Sequence, residues 1–256
     1  MGIGNNGYIH DLMKSYCHYS ILSLAPMPGN VSLIVDKLRT KYDPTIALHY
    51  TTPFELVIAV SLSAQCTDKK VNEVTQQFFP VLHGDPRALA DMPIEAIEGY
   101  IRQTGFYRAK ARNLQRMARA LLEQFNGVVP DSMEKLIMLA GVARKSGNVI
   151  LGELFNKSEG VVVDTHVKRI TQRLRIVPLE QIGGKQKVYY EPNKLDYIRD
   201  ASPEKIEREL MRIVPKRLWN EFPHLLVKLG RDACIAQRPH CAVCILQPLC
   251  PVKRAV

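Results

Sequence analysis

Four of the six cysteines, Cys234, Cys241, Cys244 and Cys250, crowd into the last 23 residues in a C-x6-C-x2-C-x5-C array, while Cys17 and Cys66 stand alone. In a chain without secretory features, thiolates at that spacing are expected to ligate a metal centre rather than to form disulfides. Zinc and an iron-sulfur cluster both accept four cysteines. A zinc ribbon normally joins two C-x2-C knuckles, and only Cys241 and Cys244 form one here, so the array favours a 4Fe-4S cluster. Arg238 and His240, between the first two ligands, place positive charge in the connecting loop.

The second set of chemically able residues is a lysine and an aspartate. Leu139-Ala140-Gly141-Val142-Ala143-Arg144-Lys145 lies between a helix expected to begin near Asp131 or Ser132 and one running through Val149, Ile150 and Leu154. That arrangement is a helix-hairpin-helix. A tight turn that delivers backbone N–H groups at a helix N-terminus suits the grip of a phosphate, because the dipole and the unpaired donors both favour negative charge. Gly141, Ala143 and Arg144 are the expected phosphate contacts. Nineteen residues after Lys145 comes Val163-Asp164-Thr165-His166, where Asp164 can also cap the next helix.

Taken together, these segments resemble the endonuclease III family of helix-hairpin-helix glycosylases. The resemblance rests on the cysteine array closing on Cys250-Pro251, the lead-in Leu225-Leu226-Val227-Lys228-Leu229-Gly230-Arg231, and the hairpin with its Lys and V-D-T-H setting. It extends to Leu62-Ser63-Ala64-Gln65-Cys66-Thr67-Asp68 and Gly105-Phe106-Tyr107-Arg108-Ala109-Lys110, so it covers most of the chain from Thr52 onward. It implies a 4Fe-4S cluster held by the four cysteines, a nucleophilic Lys145, a catalytic Asp164 and an intercalating Gln65. The implied partner is double-stranded DNA carrying damaged bases or abasic sites, bound by a monomer.

The implied chemistry needs these residue types. A deprotonated amine at Lys145 attacks C1′ of deoxyribose, expels the damaged base and forms a Schiff base, after which β-elimination cuts the strand. Partial burial, Arg144 and the helix dipole are expected to favour the neutral amine. A carboxylate at Asp164 stabilises positive charge on the sugar as the base departs. The base must first be flipped out of the duplex, at a cost of a few kcal/mol, and Gln65 would fill the vacancy. Oxidised pyrimidines are the substrate class that the resemblance implies. The other readings are a monofunctional mismatch glycosylase, which needs no lysine at position 145, and a non-catalytic iron-sulfur DNA-binding protein.

The family's hairpin usually reads L-P-G-V-G-R-K-T-A, and this chain departs from it at Ala140, Ala143, Ser146 and Gly147. A positive φ at Ala143 would cost on the order of 1 kcal/mol. A glycine inside a helix, as at Gly147, would cost about as much.

The elements that must position these groups are helical. Asn30 can cap a run through Leu33, Ile34, Leu38 and Tyr42, and Thr52-Pro53-Phe54-Glu55 has the form of a capping box. Thr67 can cap the segment with Val71, Val74 and Phe78. Phe106 to Phe125 reads as a longer helix stopped by Asn126-Gly127, and Ser202-Pro203 starts another. Val161, Val162 and Val163 form the only compact β-branched run, too short to found a sheet, so the fold class is all-α. Pro178 to Asp200 reads as a long surface loop, and the first 25 or so residues lack an apolar period and are expected to be partly disordered. The resemblance adds two helical lobes, a central one over 47–156 and a cluster lobe formed by 1–46 with 157–256.

Composition bounds the rest. A chain of 256 residues with 46% hydrophobic and 23% charged residues folds by burial without external staples. Lys and Arg outnumber Asp and Glu by 35 to 25, for a net charge of +10, which suits a polyanionic partner. Arg102, Arg108, Lys110, Arg112, Arg116 and Arg119 form a basic stripe free of acids. With no leader-like start and no apolar run long enough to span a bilayer, an intracellular location and no membrane contact are expected.

Overall fold

The computed structural model describes residues 28–252; Cys17 and the amino-terminal stretch expected to lack order lie outside the described residues. Helix α1 (Pro28–Arg39) is followed by α2 (Pro53–Leu62), α3 (Asp68–Leu82), α4 (Pro86–Asp91), α5 (Ile94–Ile101) and α6 (Tyr107–Phe125). Then come α7 (Met133–Leu136), α8 (Arg144–Phe155), α9 (Thr165–Arg173), α10 (Pro203–Ile213) and α11 (Glu221–Asp232). The expected cap residue Asn30 falls inside α1, and its side chain is outside the described set. The class is all-α as read from the sequence, with one small β element added.

The caps act as their residue types dictate. Thr52 Oγ1 accepts from the Glu55 N–H at 3.2 Å while the Glu55 carboxylate accepts from the Thr52 N–H at 3.1 Å, closing a capping box. Thr67 and Ser202 cap α3 and α10 through their hydroxyls. Asn126 (φ 52°) and Gly127 (φ 78°) end α6 in the left-handed region.

Two separate apolar cores form. One gathers α2 to α8, with α2 at its centre: Phe54 to Val60 and Leu62 are all buried, the pattern of a helix surrounded on every side. The other joins Val31, Ile34, Val35 and Leu38 of α1 to α9, α10 and α11. Polar links reinforce it, with Arg39 donating to both oxygens of Glu221 at 2.6 Å and Tyr42 donating to Asp232 at 2.6 Å. Between the two cores, Arg231 reaches Asp68 at 2.6 Å, and Gly152 of α8 lets Asn220 come so close that an added Cβ would lie 2.7 Å from its Oδ1.

The segment expected to be a surface loop contains an antiparallel hairpin, β1 (Lys187–Glu191) and β2 (Lys194–Ile198). Its register is irregular at Tyr189, and Gln172 of α9 and Arg175 just beyond that helix anchor it to the rest of the chain. Gln172 accepts from Ile198 N–H at 2.7 Å and donates to Ile198 O at 3.2 Å, and Arg175 donates to Leu195 O and, at 2.9 Å, to Asp196 O. Charged residues interrupt both strands, which hides their alternation from a local reading.

Candidate active site

The hairpin is built from a single turn, α7, followed by Ile137 to Ala143 and the start of α8. Gly141 takes φ +88°, and a Cβ there would stand 3.3 Å from Asn113 Cβ, so this glycine serves both the turn and the close approach to α6. Ala143 lies at φ −103°, ψ 170°, extended backbone that an alanine adopts without strain, so the cost of a positive φ does not arise. Its N–H donates to Ser146 Oγ at 2.8 Å, and that hydroxyl donates back to Ala143 O at 2.8 Å. Ser146 therefore closes the helix start, and the Ala143 N–H already has a partner. Gly147 also has a positive reason: a Cβ there would meet Met133 Sδ at 2.6 Å. The methionine of α7 occupies the space that an alanine would fill, which offsets the helix penalty of glycine.

Lys145 stands in the first turn of α8, where the N–H groups have no intrahelical acceptor. Its side chain is exposed, not partly buried as expected. Arg144 donates to Glu159 O at 3.1 Å, so it braces the loop after α8.

Asp164 caps α9, accepting from His166 N–H at 2.8 Å and Val167 N–H at 2.7 Å. Its second oxygen lies 2.8 Å from the His166 ring nitrogen. Burial alone would raise its pKa. The hydrogen bonds from His166 and Val167, with the nearby charges of His166 and Lys145, outweigh that and hold the carboxyl below the usual carboxylate range. Gly230 of α11 makes the arrangement possible, since a Cβ there would come within 2.7 Å of His166 Cδ2.

Lys145 and Asp164 line one groove of about 1180 Å³ between the two cores, together with Gln65, Asn148, His166 and His224. An adjoining cavity of about 410 Å³ shares Lys145, Asn148 and Asp164 with it and adds Arg144, Lys168 and Glu207. The structure thus brings Gln65, Lys145 and Asp164 to one groove, places Arg144 in the adjoining cavity, and leaves Gly141 and Ala143 on the hairpin outside both.

Gln65 is exposed at φ 53°, a strained value for a residue with a Cβ. Its loop is pinned by Lys110, which belongs to the basic stripe but is buried. Lys110 Nζ donates to Leu62 O at 2.9 Å, the last residue of α2, and to Thr104 O at 2.7 Å. Burial lowers its pKa. The remaining stripe residues are exposed. Next to Thr104, Phe106 is 70% exposed and adopts φ 49°.

Three groove residues, Asn148, His166 and His224, and Glu207 of the adjoining cavity escaped sequence reasoning. Asn148 lies one turn after Lys145, spacing that puts both on one helix face. His166 follows Asp164 by two residues. His224 is kept neutral by burial, its pKa lowered. Glu207 is pushed upward by burial, and its Oε1 is buried with no hydrogen-bond partner. No local signal marks His224 or Glu207.

Cys234, Cys241, Cys244 and Cys250 line one small cavity of about 30 Å³ with Arg173 at its wall. None is in a disulfide. Among the described residues, no group of three or more His, Cys, Asp or Glu side chains is gathered tightly enough to hold a metal ion. The four sulfurs ring a cavity instead. Burial pushes the Cys250 thiol up to about 11, with the neighbouring sulfurs adding to the rise, and Cys244 moves the same way. Partly buried sulfurs that oppose one another's ionisation form a donor set whose thiolates need cations, which fits a metal cluster.

Residues 58–191 match the family model described as HhH-GPD superfamily base excision DNA repair protein. Endonuclease III of Synechocystis sp. is 41% identical over 88% of this chain and 92% of its own length. Endonuclease III of Escherichia coli (strain K12) is 36% identical over 83% of this chain and 90% of its own length. Among solved structures, a non-covalent endonuclease III–DNA complex superposes with a TM-score of 0.74 at 34% identity, covering 91% of this chain and 97% of that one. The HhH-GPD superfamily is the class that the fold and site define. Within it, the chain belongs to the endonuclease III family. That family generally carries a 4Fe-4S cluster. No helix among the described residues is long and apolar enough to cross a membrane.

Proposed function

We propose that this chain is a base excision repair DNA glycosylase with AP lyase activity, acting through Lys145 and Asp164 on duplex DNA. The observation that carries the reading is the shared groove: a lysine at a helix N-terminus and a carboxylate held ionised by its own cap face one space. A covalent endonuclease III–DNA intermediate has been trapped in a related protein at 34% identity, which supports a covalent route here.

In this route the neutral Lys145 amine attacks C1′ of a flipped nucleotide, and the base leaves with the electron pair of the glycosidic bond and takes up a proton. Asp164 stabilises the positive charge that develops on the sugar. The amine gives up a proton and the C1′–O4′ bond breaks, O4′ taking up a proton, so that a Schiff base forms; this makes the C2′ proton removable, and its loss expels the 3′ phosphate and cuts the strand. Lys145 starts exposed, so the duplex itself must supply the low-dielectric cover that favours a neutral amine. The first-turn N–H groups of α8 and Arg144 face the phosphates, with Gly141 shaping the hairpin. Gln65 fills the vacated stack, and exposed Phe106, whose loop Lys110 ties to that of Gln65, packs beside it.

The division into a central lobe, 47–156, and a cluster lobe, 1–46 with 157–256, is supported by the two separate cores. Cys234, Cys241, Cys244 and Cys250 would hold a 4Fe-4S cluster through their thiolates. When bound, the cluster shapes and charges the loop it organises and takes no part in breaking the glycosidic bond.

The chain acts as a monomer on damaged or abasic DNA, with oxidised pyrimidines as its base substrates. Incubation with a panel of single-lesion duplexes tests this. Release of an oxidised pyrimidine together with strand cleavage is expected, whereas base release leaving the strand intact would favour a monofunctional enzyme.

A further inference from the structure

The β-hairpin carries one buried acid, Asp196, and it pairs with an arginine that lines the cysteine pocket. Asp196 on β2 is fully buried and accepts two hydrogen bonds from Arg173, Nε to Oδ1 at 2.8 Å and Nη2 to Oδ2 at 2.8 Å. The Arg173 side chain is itself only 3% exposed. Its remaining donors go to the cysteine loop: Nη1 reaches Cys234 Sγ at 3.4 Å and Ile235 O at 2.7 Å, and Nη2 reaches Ala236 O at 2.9 Å. The guanidinium also stands 5.4 Å from the Tyr197 ring. One planar fork thus bridges the inserted hairpin and the first cysteine of the array, with bidentate geometry that a lysine could not supply.

We infer that Asp196 is a positioning residue for the cluster, acting through Arg173: the hairpin neutralises the buried guanidinium and holds it against Cys234. The inference rests on the four cysteines holding a 4Fe-4S cluster. A guanidinium buried beside a cysteine sulfur without a counter-charge would add a full positive charge to the surroundings of the iron. It would also be costly to bury, because a cation in a dry site needs a partner. Asp196 removes both effects. It fixes ligand orientation in the way that outer partners of metal ligands do. The hairpin is thereby part of the cysteine site rather than a surface ornament.

The test uses the purified full-length protein and begins with iron and acid-labile sulfide analysis of the wild type. Asp196→Asn keeps the shape and removes the charge. It should release iron to a ferrous chelator about tenfold faster or more, and should move the cluster's one-electron potential upward, because the unpaired Arg173 favours the more reduced cluster. The double variant D196N/R173Q removes both charges and should return the potential to that of the wild type. A purely structural pair would speed iron loss in both variants without that reversal. A D196N protein with wild-type iron release and potential would overturn the inference. If D196N fails to fold, Arg173→Gln decides: a downward shift in potential, from Asp196 losing its guanidinium, supports the inference, and a wild-type potential overturns it. A wild-type protein that holds zinc, or no iron and sulfide, would overturn the cluster reading itself.

Discussion

Gly230→Ala offers a sharp test of how the second core positions the carboxylate. The new Cβ would lie 2.7 Å from His166 Cδ2, 3.0 Å from Ile170 Cδ1 and 3.1 Å from His166 Cβ, all inside ordinary contact distance. The imidazole cannot swing aside freely, because its ring nitrogen is 2.8 Å from Asp164 Oδ2. Relief must come from moving α9 away from α11 or from breaking the His166–Asp164 bond. Overpacking of this kind costs about 1–3 kcal/mol in stability. A displacement approaching 1 Å at the carboxylate costs up to about a hundredfold in rate. Urea denaturation should therefore show a lower midpoint, and single-turnover cleavage of an abasic duplex should slow by about tenfold or more. Gly99→Ala is the control, since a Cβ there meets nothing within 4 Å; it should leave the rate unchanged and stabilise α5 by up to about 1 kcal/mol. If Gly230→Ala matched the wild type in both midpoint and rate, the packing of α11 on α9 would not be what places Asp164.

Asp164→Asn should remove an acid-side stability dependence as well as slow base release. The folded-state pKa of Asp164 lies below its unfolded value, so its contribution is present above the unfolded value and lost as pH falls through the lowered one. Melting temperatures followed across that acidic window should fall less steeply for the variant than for the wild type. Lys110→Met should leave the carbonyls of Leu62 and Thr104 without their buried donor, at about 1–3 kcal/mol. It should also weaken binding to lesion duplexes by loosening the loops of Gln65 and Phe106, read as a raised Kd at fixed salt.

Helical class and most caps were legible because each is written locally, whereas Lys145 and Asp164 stood out only through the family resemblance, and the structure brings both to one groove. Thr52, Thr67, Asp164 and Ser202 cap the helices their positions announce, since a cap needs only itself and the next few residues. The reasons for the hairpin's departures from the family pattern were not legible locally, because they lie in its neighbours: Ser146 satisfies Ala143 N–H, and Gly147 makes room for Met133. Lys110 looked like part of a solvated stripe because its two acceptors sit at the ends of other elements. The β-hairpin escaped for the same reason. Gln172 and Arg173 of α9 and Arg175 just beyond its end anchor it, and no alternation within 178–200 announces that. His224 and Glu207 enter the site only through the packing of the second core.

The central claim is that the amine of Lys145 forms a covalent bond with C1′. Borohydride reduction during turnover of an abasic duplex, followed by digestion and mass spectrometry, tests it directly. A stable protein–DNA adduct on the peptide containing Lys145 is expected, together with its loss in Lys145→Ala. An adduct formed at the wild-type rate by Lys145→Ala, or mapped to another lysine, would contradict it.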